Sequence, residues 1–149
     1  MSTLAQTLKD QTAKAVNAAH RSLFDVTNGR LLGRVAGMPA VKLTTTGAKS
    51  GKPRTVMLTI PARTDDGDVV LVASYGGDDR APAWYHNLRA NPTVELVTGG
   101  ERFTATARTA TDEERDALWP TVTSTYKGYA GYQRKTDREI PLVICERNA

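Results

Sequence analysis

Cysteine and histidine are scarce in this chain, and the scarcity excludes whole classes of chemistry. The single cysteine, Cys145, has no partner for a disulfide framework. Two histidines, His20 and His86, cannot build a tetrahedral Cys/His zinc site with it, and the carboxylates show no metal-ligand spacing, so no metal is expected. No stretch approaches the ~18 uninterrupted apolar residues of a membrane span. Residues 1–25 lack the apolar run of a signal peptide, and a cytoplasmic protein is expected. The common nucleotide and hydrolase fingerprints are also missing. No Gly-x-Gly-x-x-Gly occurs. The run Gly47-Ala48-Lys49-Ser50-Gly51-Lys52-Pro53 is one residue short of a P-loop and has Pro53 where a hydroxyl should reach magnesium. Val72-Ala73-Ser74-Tyr75-Gly76 lacks the first glycine of a nucleophile elbow. The adjacent carboxylates Asp65-Asp66, Asp78-Asp79 and Glu113-Glu114 fall in turns or a helix start, where solvation is expected rather than paired acid/base work. An enzyme so short of reactive side chains takes its difficult chemistry from an organic cofactor.

What is present suggests one domain: 149 residues, of which 40% are hydrophobic. The net charge of +4 is unevenly spread. Between Asp25 and Asp65 there is no acidic residue, whereas Arg30, Arg34, Lys42, Lys49, Lys52, Arg54 and Arg63 all fall there. That window is +7, and the remainder, with 13 basic and 16 acidic residues, is −3. A localised positive field of this kind attracts an anion.

Along residues 1–29, Leu4, Leu8, Ala15, Val16, Ala19, Leu23 and Phe24 recur at helical spacing before Asn28-Gly29, which predicts an amphipathic helix. It caps the domain, makes weak contact with a membrane surface through residues 1–25, or rests on a partner. Residues 30–149 form the main domain. Runs rich in Val, Leu, Ile and Thr predict strands near 41–46, 54–62, 68–74, 93–98, 101–109 and 141–145. Lys49–Pro53, Asp65–Gly67 and Gly99-Gly100 supply three hairpin turns. Helices are expected over 80–90 and 111–124, the second opened by a Thr111/Glu114 capping box. The pattern is that of a mainly β (α+β) chain, an antiparallel barrel of about six strands flanked by helices.

Three blocks are chemically suggestive. Lys42 to Arg54 combines glycines, hydroxyls and four cations, a composition suited to phosphate, with Gly47 and Gly51 turning backbone N–H groups outward while Lys49 and Arg54 flank the anion. Ala73 to Pro92 runs from a strand through Gly76-Gly77 into a helix headed by Trp84, which either covers a flat ligand or anchors the helix in the core. Tyr126, Tyr129 and Tyr132 are spaced by three and interleaved with Gly128 and Gly131, which favours either a mobile aromatic flap over a regular helix or tyrosines that pack the segment against the barrel.

These blocks resemble the deazaflavin-dependent nitroreductase family, the actinobacterial split β-barrel reductases that use coenzyme F420. The resemblance runs through Thr44–Arg54, Ala73-Ser74, Gly76-Gly77, Pro82–Leu88, Ala90–Pro92, Ala110–Arg115, Trp119-Pro120, the tyrosine triplet and Thr136–Pro141. It implies a split β-barrel and a cofactor with a polyanionic tail of lactyl phosphate and oligoglutamate, which suits the positive window. By the same resemblance Lys49, Ser50 and Arg54 contact that tail. Met57, Leu58, Ala73, Ser74, Gly76, Gly77, Pro82, Trp84, Asn87 and Leu88 line the deazaflavin and its ribityl chain. Tyr126, Tyr129 and Ser74 take the catalytic roles, and Thr59, Tyr126, Tyr129 and Tyr132 face the substrate.

The implied reaction is hydride transfer from reduced F420 to a small electron-poor acceptor: an enone, quinone, coumarin-type lactone or nitroaromatic. Thr59 replaces an aromatic residue of the nitroreductase itself, which turns the expectation away from bicyclic nitroimidazoles. The alternatives are an FMN-dependent oxidoreductase on the same barrel and a non-catalytic deazaflavin-binding protein. Nucleic acid is not an expected partner, because the chain outside the basic window is net acidic and carries no recognised motif.

Overall fold

The computed structural model describes residue 10, residues 34–35 and residues 37–149. The helix expected over residues 1–29, together with its membrane alternative, falls outside the described residues apart from Asp10. The strands are β1 (Arg34–Val35), β2 (Met38–Thr46), β3 (Pro53–Thr59), β4 (Ala62–Arg63), β5 (Val69–Val72), β6 (Thr93–Thr98), β7 (Glu101–Thr109) and β8 (Leu142–Arg147). Among the described residues three full α-helices accompany them: α1 (Ala83–Ala90), α2 (Asp112–Thr125) and α3 (Gly128–Arg134). No helix among the described residues is long and apolar enough to cross a membrane.

Every strand pairing among the described residues is antiparallel. The order runs β1-β2-β6-β7-β8-β5-β4, with β3 pairing β2. β3 and β4 therefore lie at opposite edges of the sheet, yet only Ile60 and Pro61 separate them in the chain. A link that short brings the two edges together, so the sheet curls into a barrel. The strand expected over 54–62 is thus two strands. The break falls at Pro61, which has no N–H for a ladder, while the Ile60 N–H bonds the Pro39 carbonyl at 2.9 Å.

The apolar run of β5 serves two cores. Alternate side chains of a strand point to opposite faces, so Val69 and Leu71 enter the barrel interior whereas Val70 and Val72 face outward under α2 and α3. β8 repeats the division, with Val143 and Cys145 inside and Leu142 and Ile144 outside. Trp84, Tyr85 and Leu88 on one face of α1 join the barrel core with Val41, Leu43, Leu96 and Ala105. Burial of each such side chain contributes about 1.5–3 kcal/mol. Cys145 is buried, and burial pushes its thiol up to about 12.

α1 starts after Pro82, later than the sequence predicts, because Pro82 is its N-cap with extended backbone and its ring disfavours a helical residue before it. α2 opens on the expected reciprocal cap. The Glu114 N–H bonds the Thr111 hydroxyl at 3.2 Å, and the Glu114 carboxylate accepts from the Thr111 N–H at 2.9 Å. Arg108 of β7 also grips Glu114 through two bonds, at 2.6 and 2.8 Å, and holds its carboxyl down to about 2. Thr111→Ala is expected to lower stability by about 1 kcal/mol in chemical denaturation without altering the folded-state circular dichroism spectrum; an unchanged midpoint would mean the cap contributes nothing here.

Candidate active site

The β2–β3 hairpin ends in a tight turn built on two glycines. The Gly47 N–H bonds the Lys52 carbonyl at 2.8 Å and the Gly51 N–H bonds the Gly47 carbonyl at 2.9 Å, with Gly51 at φ +69°. A Cβ at Gly47 would fall 2.5 Å from the Ser50 hydroxyl oxygen, so a side chain there would displace Ser50. The outward-facing glycine amides expected from the sequence are therefore not there, because the turn uses both for its own closure. The anion-attracting groups that remain are side chains. Lys49, Lys52 and Arg54 are exposed, and among the described residues none of them pairs with a carboxylate. By contrast, Arg80, Arg102, Arg108, Arg115 and Arg147 all do. The Ser50 oxygen accepts from the Lys52 N–H at 3.2 Å, leaving its hydroxyl hydrogen free to donate outward.

Asn87 of α1 fixes this hairpin. Its carbonyl oxygen accepts from the Ala48 N–H at 3.0 Å, and its amide nitrogen donates to the Thr45 hydroxyl at 3.2 Å. The sequence reading set Asn87 against the ring; the structure commits both ends of its amide to the hairpin. Ala73, Trp84 and Leu88, expected to line the ring, are 0%, 7% and 1% exposed and belong to the barrel core. They support the site from beneath and leave almost no side-chain surface for a ligand. Pro82, also buried, caps α1. Met57 and Leu58 cannot line the same surface, since successive strand residues alternate. Met57 sits outside the barrel with Ala40 and Val97, while Leu58 packs against the interior core.

Between β5 and α1 the chain makes a sharp loop with three successive left-handed residues, Tyr75 at φ 44°, Gly76 at 63° and Gly77 at 81°. The conformation costs the side-chain-bearing Tyr75 about 1–2 kcal/mol. Its hydroxyl bonds the Asp10 carboxylate, and burial together with that bond pushes the phenol up to about 12. A Cβ on Gly77 would fall 2.8 Å from the Tyr132 carbonyl oxygen. Gly77 thus permits close approach of α3, rather than of a ligand as expected. Gly76 is exposed and Ser74 is 8% exposed beside it.

The tyrosines form a compact triangle. The ring centroids of Tyr126 and Tyr129 are 5.0 Å apart, those of Tyr129 and Tyr132 are 6.0 Å apart and those of Tyr126 and Tyr132 are 6.3 Å apart. The expected mobile flap is in fact the helix α3, preceded by Tyr126 at the end of α2. Gly128 allows this, since a Cβ there would lie 2.3 Å from the Tyr126 ring. The Tyr129 hydroxyl shares a hydrogen bond with Thr59 at 3.0 Å, and those of Tyr126 and Tyr132 lie 3.3 Å apart. Thr59 shares the outer strand face with Met57, so the structure does bring Thr59 to the tyrosines. Burial raises the Tyr129 phenol above its ordinary value; the bond to Tyr126, then burial, pushes Tyr132 up to about 12. A separate cavity of about 550 Å³ lies at the other end of the barrel, by Pro39, Thr98, Phe103 and Arg147, and includes no site residue predicted from the sequence. Arg138 was missed by sequence reasoning, because its partners are backbone carbonyls, which leave no residue pattern.

The antiparallel barrel thus carries a cationic hairpin at its rim and a phenol cluster on its flank, an arrangement suited to a ligand with an anionic tail. The family described as F420H(2)-dependent quinone reductase matches residues 15–147, and the chain belongs to it. It is 46% identical over 133 residues to the F420H(2)-dependent quinone reductase Rv1261c of Mycobacterium tuberculosis, covering 86% of this chain and 87% of that one. A solved F420-H2 dependent reductase, FDR-A, superposes with a TM-score of 0.65 at 47% identity, covering 72% of this chain and 94% of its own. A second solved chain, described as a domain-swapped dimer, gives 0.66 at 37% identity, covering 97% and 100%. The protein is accordingly an F420H2-dependent oxidoreductase with coenzyme F420 as its cofactor. The residues present fit that group: Lys49, Lys52 and Arg54, without carboxylate partners among the described residues, match a polyanionic tail.

The raised phenols have a consequence for stability. Between pH 10 and about 12 the unfolded chain releases the Tyr132 proton that the folded protein retains. The unfolded state then binds fewer protons, so stability falls as pH rises through this window. Thermal melts from pH 8 to 11 are expected to show a shallower decline for Tyr132→Phe than for wild type, and superimposable declines would contradict the assignment.

Proposed function

We propose that the chain reduces quinones, and related enones or coumarin-type lactones, using F420H2. The observation that carries this reading is the triangle of tyrosine hydroxyls anchored by Thr59. Bound in its reduced form, the deazaflavin supplies a hydride, that is, two electrons and one proton. A quinone that accepts hydride becomes an anion, and its reduction to hydroquinone is completed by one further proton. In this reading Tyr126 and Tyr129, with Tyr132 beside them, offer neutral O–H groups that stabilise the developing oxyanion and deliver that proton, later replaced from water. Burial raises the Tyr129 phenol, which keeps its O–H in place as a hydrogen-bond donor at neutral pH while making it a weaker acid, so its larger part is to stabilise the oxyanion.

Lys49, Arg54 and the Ser50 hydroxyl hold the anionic tail, with Lys52 adding to the field. Ser74 and the exposed Gly76 backbone border the ring, Met57 packs near it, and Thr59 sets the direction of the Tyr129 hydroxyl. Asn87, Trp84, Leu88, Ala73 and Gly77 support that surface from behind.

Lys49→Ala combined with Arg54→Ala is expected to weaken F420 binding by about 10- to 100-fold in fluorescence titration, more at low salt than at high, with the melting temperature unchanged. Equal affinity would remove these residues from the tail site. Tyr129→Phe is expected to lower kcat for menadione reduction by about 10- to 100-fold while F420 affinity stays within about twofold. A parallel loss of both would place that hydroxyl at the cofactor instead. A yellow, FMN-loaded preparation without affinity for F420 would overturn the proposal as a whole.

A further inference from the structure

Arg138, between α3 and β8, spends its bonds in an unusual way. Its Nε donates to the Asp78 carbonyl at 3.0 Å, and its Nη2 lies 3.2, 3.0 and 3.1 Å from the carbonyls of Ala73, Ser74 and Arg80. Among the described residues it forms no ion pair, unlike the five arginines paired with carboxylates above. Two of its carbonyl partners precede the left-handed run Tyr75–Gly77 and two follow it, so one guanidinium joins the entrance and exit of the loop. The planar fork of arginine, with donors pointing in several fixed directions, suits this task in a way that a single ammonium does not.

The main chain of the same residue is tied to the tyrosine helix. Gln133 of α3 donates to the Arg138 carbonyl at 2.8 Å, and its side-chain oxygen accepts from the Ile140 N–H at 2.9 Å and from Arg115 at 3.1 Å. Gly77 closes the contact from the other side against the Tyr132 backbone. The loop bearing Ser74 and the helix bearing Tyr129 and Tyr132 are thereby held in one fixed relation.

We infer that Arg138 is a positioning residue: it clasps the loop from Ala73 to Arg80 and sets it in register with the tyrosine helix, so that a hydride donor beside Ser74 faces an acceptor beside the tyrosines. The inference rests on the proposed site, with the cofactor on the Ser74 side and the acceptor on the tyrosine side. It assigns Arg138 no contact with either molecule. Misalignment then costs turnover before it costs binding, because the reaction depends on the relative placement of the two partners.

The test uses Arg138→Gln and Arg138→Lys in the full-length protein. Without coenzyme, hydrogen exchange is followed at the amides of Gly77, Asp78 and Arg80, which are bonded within the loop, and at β6 and β7 as a control. In Arg138→Gln the loop amides are expected to exchange about tenfold faster or more, with β6 and β7 unchanged and Arg138→Lys in between. With F420H2 and menadione, kcat is expected to fall about tenfold in Arg138→Gln while the menadione KM and the F420 Kd stay within about threefold. Unaltered loop exchange overturns the inference. Faster loop exchange with wild-type kcat also overturns it, and so does uniform acceleration across β6 and β7, which would mark a general stabiliser. If Arg138→Gln does not fold, Arg138→Lys is judged by the same criteria. A wild-type protein that neither binds F420 nor reduces menadione would count against the proposed function, and the exchange rates alone would then decide whether Arg138 holds the loop.

Discussion

The structure depends on the crossing at Ile60–Pro61. Two residues carry the chain from one edge of the sheet to the other, and antiparallel pairing along the rest of the path leaves closure as the outcome. Once closed, β5 and β8 have apolar residues on both faces, and each face needs its own cover. The interior takes Trp84, Tyr85 and Leu88 from α1, while the exterior takes α2 and α3. The elements that bear the candidate site are thus the same ones that complete the two cores. Their placement follows from burial rather than from any contact with a ligand.

Charge is distributed by a complementary logic. Most arginines outside the hairpin are engaged with carboxylates, carbonyls or aromatic faces, whereas the hairpin leaves Lys49, Lys52 and Arg54 to solvent. Asn87 locks the backbone on which these cations stand. The positive field is therefore carried by exposed side chains on a turn held by its own hydrogen bonds and by Asn87. The phenols follow the opposite rule. Tyr129 packs edge to face against Tyr126 and Tyr132, the hydroxyls are bonded to one another or to Thr59, and burial raises the Tyr129 phenol above its ordinary value.

Much of this was legible in the sequence. The antiparallel barrel, the three turns, the α2 cap and the separation of the basic window all follow from local residue chemistry, which acts over a few positions. The basic hairpin and the tyrosine triplet also carry the family resemblance. What the sequence concealed is of another kind. Nothing in Gly47 and Gly51 reveals whether their amides face a ligand or close their own turn. Met57 and Leu58 are equally apolar and adjacent, and only the register of β3 sends them to opposite faces. Gly128 reads as a helix breaker until the Tyr126 ring is seen in the space its missing side chain leaves. Arg138 bonds to main-chain oxygen, which every residue has. Tertiary placement decided each of these, and tertiary placement is what periodicity and spacing do not encode.

The position of Cys145 has a meaning beyond packing. Quinones are soft electrophiles that arylate thiolates by conjugate addition, so an oxidoreductase that handles them risks covalent self-inactivation at any accessible sulfur. Here the sole thiol of the chain faces the barrel interior and is protonated up to about pH 12. The chain therefore presents no exposed thiolate to electrophilic substrates.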